Sequence, residues 1–179
     1  MAIRIIYFVH GTTTDNQEHK STGWLPGELS ELGIEQSINL KNQINLDEID
    51  LVISSDLQRA IDSANYTFKG VKEIINDERL RECNYGDLNG KDSSLVIDED
   101  HISEPFPNGE SMLDVEKRIR DFSQYLLNNY DGKTIAIVAH KAPQLAFEVI
   151  TKNITWEEAL DNDWRKTKSW QPGWEYIIK

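Results

Sequence analysis

His10 and His140 each stand one residue past an apolar run of strand length, Ile3 to Val9 in the first case and Thr134 to Ala139 in the second. Ligands of an α/β sheet gather outside the carboxyl ends of its parallel strands. Two histidines leaving two such strands can therefore meet on one ligand although most of the chain lies between them. A pair of imidazoles with a carboxylate such as Glu82 is equipment for nucleophilic and acid–base work, which points to an enzyme. Taken singly, each residue has an ordinary reading. A histidine behind a buried strand serves as a structural hydrogen-bonding group, Glu82 as a solvated carboxylate, and Arg59 as an ion-pair partner on a helix surface. Arg59 falls in a helix's first turn, where a cation is unfavourable, and that position argues for a bound anion.

The elements that must carry these side chains follow from the hydrophobic pattern. After the first strand comes a polar, turn-rich loop from Thr12 to Glu28, then a helical pattern to about Ile44 with Leu32, Gln36 and Leu40 spaced by four. Residues 50–54 read as a second strand and 72–76 as a short third one. Ser55-Asp56-Leu57-Gln58 has the form of a capping box opening the helix of Arg59. Residues 77–109 are irregular and acidic and read as an inserted loop or lid. Ser111 to Asn129 returns to helical period, with Met112, Val115, Ile119, Phe122 and Leu126 on one stripe. The strand at 134–139 leads into a helix from about Pro143. Thr155-Trp156-Glu157-Glu158 is a further capping box, and residues 174–178 make a final strand. The alternation predicts an α/β fold: three layers, with a mostly parallel central sheet and helices on both faces, forming one domain over residues 1–179.

Composition bounds the partners. A chain of 179 residues with 39% hydrophobic content can bury a core without metal or disulfide, and the single Cys83 has no partner for an intramolecular bridge. The apolar residues between Arg4 and His10 are too few for a signal-peptide core, so a cytoplasmic location is expected. Thirty-one acidic against 19 basic residues give a net charge of −12, which repels phosphate backbones and anionic lipid and excludes nucleic acid and membranes as partners. The chain is expected to act as a monomer or a homodimer. His19 and His101, in polar segments, read as solvated. Trp156, Trp164, Trp170 and Trp174 read as a cover for the last strand, and Trp24 as a residue at the site mouth or at the surface.

Five segments in order resemble the histidine phosphatase superfamily, the group that contains the phosphoglycerate mutases and many small phosphatases. Val9-His10-Gly11-Thr12-Thr13-Thr14-Asp15-Asn16 is similar to its first-strand motif and Ser54-Ser55-Asp56-Leu57-Gln58-Arg59-Ala60 to its second. Leu80 to Gly90 is similar to the acid-bearing segment. Asn108-Gly109-Glu110-Ser111 resembles the Gly-Glu-Ser helix entry, and Ile137-Val138-Ala139-His140 the second-histidine strand. The short length resembles the small phosphatase branch.

The resemblance implies a phosphomonoesterase acting on a small phosphorylated metabolite through a phosphohistidine, with no cofactor and no metal. A phosphate monoester is a dianion that needs donors on its equatorial oxygens, an in-line nucleophile and an acid for the leaving oxygen. By resemblance His10 is the nucleophile and Glu82 the acid and then the base, a role that needs a raised pKa. Arg59 and His140 hold the phosphoryl oxygens, and Gly11, Asn16, Thr22 and Gly23 complete the binding site. The family pattern has arginine immediately before the nucleophile, where this chain has Val9. Lys141, and more remotely Arg4 or Arg81, are the cations that could replace it. A non-catalytic phospho-ligand binder of the same fold is the alternative. A phosphoglycerate mutase comes third, because Cys83 replaces a substrate-binding arginine of the mutases and residues 92–104 are acidic where theirs are basic.

Overall fold

The computed structural model describes residues 2–167 and 173–179. In chain order its strands are β1 (Ile3–Val9), β2 (Lys20–Ser21), β3 (Leu51–Ser54), β4 (Ile74–Asn76), β5 (Lys91–Asp92), β6 (Thr134–Ala139) and β7 (Trp174–Ile178). The α-helices are α1 (Thr14–Gln17), α2 (Glu31–Leu40), α3 (Gln58–Phe68), α4 (Met112–Asn129), α5 (Lys141–Lys152), α6 (Trp156–Asp161) and α7 (Trp164–Thr167). Five strands form the main sheet in the order β4-β3-β6-β1-β7. The first four run parallel, and β7 closes the edge antiparallel to β1.

Strands with apolar residues on both faces must be covered on both. The alternation of β-strand side chains assigns each residue to a layer. Ile3, Ile5 and Tyr7 of β1 share a core with Ile135 and Ile137 of β6 and with the buried stripe of α4, whereas Phe8, Val52, Ala136 and Val138 pack on Ala64 and Phe68 of α3. The fold is the expected α/β arrangement, a mostly parallel sheet flanked by helices.

Several local expectations hold. The α4 stripe is buried as read, and Ser111 with Asp114 and Thr155 with Glu158 form reciprocal caps. Others differ for physical reasons. Within the polar loop, Thr13 and Asn16 make a capping box that starts α1. The spacing of Leu32, Gln36 and Leu40 does not mark the buried face of α2. That face is Gly33 and Ser37, and Leu32 is exposed. Gly33 packs backbone to backbone against Gly11 and Thr12, and a Cβ on Gly11 or Gly33 would overlap main-chain carbonyl atoms of the other segment. The third strand starts at Ile74, two residues later than its apolar run suggests.

Residues 77–109 contain β5 and short 3₁₀ turns, and they commit Leu80, Cys83, Tyr85 and Phe106 to the main core. His101 of this stretch, expected to be solvated, lies on the Phe106 ring at 3.7 Å, and its Nδ1 pairs with the Glu104 carbonyl at 3.0 Å. Trp156 is buried as expected, and Trp170 lies outside the described residues. Among the described residues no helix is long and apolar enough to cross a membrane.

Candidate active site

The carboxyl ends of β1, β3 and β6 deliver His10, Ser55 and His140 to one place. Tyr7, inside β1, holds the end of β6: its hydroxyl donates to the His140 carbonyl at 2.6 Å and accepts from the His140 N–H at 3.1 Å. The rings of His10 and His140 lie 5.1 Å apart between centroids at 59°. His10 is half-buried and His140 fully buried.

Hydrogen bonding sets the tautomer of each ring. His10 Nδ1 lies 2.7 Å from the carbonyl of Gly11, an acceptor only, so Nδ1 carries the proton and Nε2 keeps its lone pair. Gly11 is itself held by its N–H to the Ser63 hydroxyl at 3.0 Å. His140 Nε2 lies 2.8 Å from the Ser55 hydroxyl, which accepts from the Leu57 N–H at 3.2 Å and is therefore free to donate to the imidazole. That arrangement puts the single ring proton of His140 on Nδ1, which is buried and has no hydrogen-bond partner among the described residues. Burial, reinforced by the Arg59 guanidinium, drives His10 down to about 3 and His140 well below the usual histidine range. Both rings are thus neutral at ordinary pH.

Ser55 is accordingly not a helix cap. The helix begins at Gln58 behind Leu57, with no side-chain cap, because the serine hydroxyl serves His140 instead. Arg59 is 2% exposed and lies under the loop that follows α1. Its Nη1 donates to Leu25 at 2.7 Å, its Nη2 to the Gly23 carbonyl at 2.8 Å, and its Nε points to His10 Nε2 at 3.3 Å. The guanidinium therefore fixes the 23–26 loop and faces His10 Nε2 at once. Gly23 takes a positive φ of 56°, and a Cβ there would overlap the Asn89 side chain.

Glu82 sits against the start of α5. Its Oε1 accepts from the N–H groups of Cys83 and Ala142, both at 2.9 Å, and Oε2 from Lys141 at 3.2 Å. The helix begins at Lys141, two residues before the position expected from Pro143, and this offset is what frees those donors. Pro143 has no N–H, and Gln144 turns back to the His140 carbonyl, so the first-turn donors of α5 are all accounted for.

A cavity of about 640 Å³ is lined by His10, Gly11, Arg59 and Glu82, while His140 and Ser55 lie buried outside its lining. Asn16, Thr22, Gly23 and Lys141 line it as well. Asn16 spends its side-chain oxygen on the Thr13 N–H, and the Thr22 hydroxyl donates to Asp15 at 2.8 Å. Three expectations about compensating cations are corrected. The Lys141 ammonium is paired with the buried Asp98. Arg81 is bidentate on Asp56, and Arg4 pairs with Glu48 and Glu175 at the amino end of β1. Trp164 and Trp174, read as cover for the last strand, line the cavity. Trp24 donates its indole N–H to the Glu82 carbonyl at 2.8 Å beneath the Arg81 guanidinium.

Two arginines carried no signal in the sequence. Arg118 on α4 donates to the carbonyls of Arg79, Arg81 and Glu82 and to the Glu110 carboxylate, stapling the strand of chain that presents Glu82. Arg165 on α7 lines the cavity.

A family model described as the histidine phosphatase superfamily, branch 1, matches residues 6–170. The chain belongs to the histidine phosphatase superfamily. Phosphoserine phosphatase 1 of Hydrogenobacter thermophilus is 25% identical over 156 residues, which span 80% of this chain and 74% of that protein. A 2,3-bisphosphoglycerate-dependent phosphoglycerate mutase of Tropheryma whipplei is 26% identical over 171 residues, 76% of this chain and 77% of that one. Among solved structures, a mycobacterial glucosyl-3-phosphoglycerate phosphatase in complex with VO3 superposes with a TM-score of 0.77 at 27% identity, covering 87% of this chain and 85% of the other. In this superfamily member His10, Arg59 and Glu82 line one cavity, and His140 lies buried behind it with its ring centroid 5.1 Å from that of His10.

Proposed function

We propose that the chain is a phosphomonoesterase acting on a small phosphorylated metabolite through a phosphohistidine on His10. The observation that carries this reading is the His10 tautomer. Its Nδ1–H is spent on the Gly11 carbonyl, so the neutral ring carries its lone pair on Nε2, where it accepts the long 3.3 Å bond from Arg59 Nε that an incoming phosphoryl group would displace, with the His140 ring 5.1 Å away. The phosphatase names among the relatives support the same reaction.

In the first step Nε2 attacks phosphorus, the bond from phosphorus to the ester oxygen breaks, and Glu82 gives its proton to the leaving oxygen. The positive charge of the Arg59 guanidinium, whose terminal nitrogens are held by loop carbonyls, and the His140 Nδ1–H stabilise the equatorial oxygens, where negative charge stays concentrated. In the second step Glu82 takes a proton from water as the water oxygen attacks phosphorus. The nitrogen–phosphorus bond breaks, and inorganic phosphate leaves. Oε2 of Glu82 accepts only the 3.2 Å bond from Lys141 and is the oxygen with room for the transferred proton. The residues named here need no metal for these transfers.

Val9 supports a second reading, a phospho-ligand binder without turnover, because the family pattern places an arginine there. One experiment separates the two. The protein is mixed with an aryl phosphate in the presence of chelator, and acid-labile, alkali-stable phosphate on the chain is measured beside His10→Ala. Turnover and trapped phosphate in the parent, both lost in His10→Ala, are expected. Equal rates in the two proteins, or no hydrolysis across a panel of sugar, nucleotide and acid phosphates, reject the catalytic reading.

A further inference from the structure

Four cations line the cavity among the described residues, and three of them are committed elsewhere. Lys20 pairs with Glu18, Lys141 with Asp98, and both terminal nitrogens of Arg59 donate to loop carbonyls. Arg165 differs. Its Nη1 donates to Asp163 at 2.8 Å, with Gln144 Oε1 at 3.5 Å, whereas its Nη2 is buried and carries no hydrogen-bond partner among the described residues. Gln144 is fixed in turn by its amide donating to the Tyr176 hydroxyl at 2.8 Å, and Tyr176 donates to Glu148 at 2.7 Å. The guanidinium lies over Trp164 at 4.8 Å and near Trp174 at 5.9 Å.

One terminal nitrogen of this group is therefore anchored, its guanidinium carbon lies against two indole rings, and the other terminal nitrogen is buried without an acceptor among the described residues, in a side chain that lines the cavity. An N–H of a permanently charged group that is desolvated without an acceptor is costly, and a bound oxyanion would remove that cost. Arginine also offers the planar fork that matches phosphate oxygens. The same positive charge contributes to lowering His10 and opposes protonation of Lys141, which places it within electrostatic reach of both.

We infer that Arg165 binds the phosphoryl group, supplying from the far end of the chain the guanidinium that Val9 does not supply beside the nucleophile. The inference rests on the phosphatase reading above and names a residue that the motifs do not contain. It also gives Val9 a consequence: a short apolar side chain lines the cavity that Arg165 enters.

Orthovanadate binding to the full chain tests it, measured by titration at fixed ionic strength on the parent, Arg165→Ala, Arg165→Lys and the double variant Val9→Arg/Arg165→Ala, with thermal melting of each. Arg165→Ala is expected to weaken binding by about ten- to a hundredfold, the loss of one charge-assisted bond. Arg165→Lys should recover only part, since an ammonium lacks the fork. The double variant should recover at least tenfold over Arg165→Ala, an effect that a merely structural arginine would not produce. Binding by Arg165→Ala within twofold of the parent overturns the inference. Where Arg165→Ala fails to melt cooperatively, Arg165→Lys decides, and parent-like binding by it overturns the inference too. A parent that traps phosphate on His10 while Arg165→Ala keeps its KM rejects Arg165 and leaves the phosphatase reading standing. A parent that binds no vanadate and traps no phosphate rejects both.

Discussion

His10 and His140 are neutral because burial and the Arg59 guanidinium oppose their charged forms, and this has a consequence for stability as well as for chemistry. In the unfolded chain both imidazoles take up protons near pH 6.5, whereas in the fold His10 waits until about 3 and His140 stays far below its usual range. The unfolded state therefore binds more protons as pH falls below 6.5. Stability contributed by the neutral rings is complete above that pH and is lost progressively on acidification, by up to about 1.4 kcal/mol per pH unit for each ring. Urea midpoints measured between pH 7.5 and 5 should fall, and the fall should be shallower in His10→Asn. A flat profile in the parent would mean that the rings are solvated and titrate normally. For catalysis the same shift predicts that kcat/KM shows no acid limb attributable to His10 between pH 5 and 8. The Lys141–Asp98 pair gives a second residue-scale test. Asp98 is the more buried partner, so Lys141→Met should destabilise the fold more than Asp98→Asn does. A double variant milder than Lys141→Met, seen in chemical denaturation, would show that the stranded carboxylate carries the cost.

Elements position Glu82 through two supports that pull from opposite sides. The start of α5 donates Lys141 and Ala142 N–H groups to the carboxylate, and Arg118 of α4 gathers the carbonyls on either side of it. Arg118→Met removes the second support and strands several carbonyls, so a loss of about 2–4 kcal/mol is expected, bounded by the worth of charge-assisted bonds that do not add fully. In the proposed mechanism Glu82 serves the leaving oxygen, so kcat should fall by tenfold or more with KM little changed; a change confined to KM would place Arg118 in binding. Legibility in the sequence follows the same division. The strands at 3–9, 51–54 and 134–139 and the stripe of α4 are readable because burial writes itself as local periodicity, and His10 and His140 because they follow two of those strands, whereas Arg59 and Glu82 stand out only through the motifs around them. Ser55 was misread because its local pattern is a cap while its hydroxyl has a tertiary partner. Lys141 was readable as a cation, yet its pairing with Asp98 joins segments with no pattern in common. Arg118 lies among the polar positions of a helix and Arg165 on a four-residue helix near the carboxyl terminus, and only the folded chain gives them their roles.

For the whole molecule, a net charge of −12 surrounds a site built to receive a phosphate dianion. The acidic 92–104 stretch adds to that field, although two of its carboxylates are locally compensated, Asp98 by Lys141 and Glu99 by Lys166 at 2.6 Å. Long-range repulsion and short-range attraction then act on the same substrate and respond differently to salt. At 10 mM ionic strength the screening length is about 30 Å, comparable with the protein, and at 0.1 M about 10 Å, so added salt removes the field of distant carboxylates first. Contacts that the proposed mechanism makes with the buried Arg59 and with His10 are screened far less. Raising sodium chloride from about 10 to 100 mM should accordingly raise kcat/KM for an anionic phosphate ester several-fold while kcat stays constant, because capture and not chemistry is being relieved. A neutralised acidic surface, made by replacing exposed carboxylates remote from the cavity with amides, should flatten this dependence. If kcat/KM falls with salt instead, the guanidiniums at the cavity dominate the approach path, and the acidic surface serves some end other than tuning substrate access.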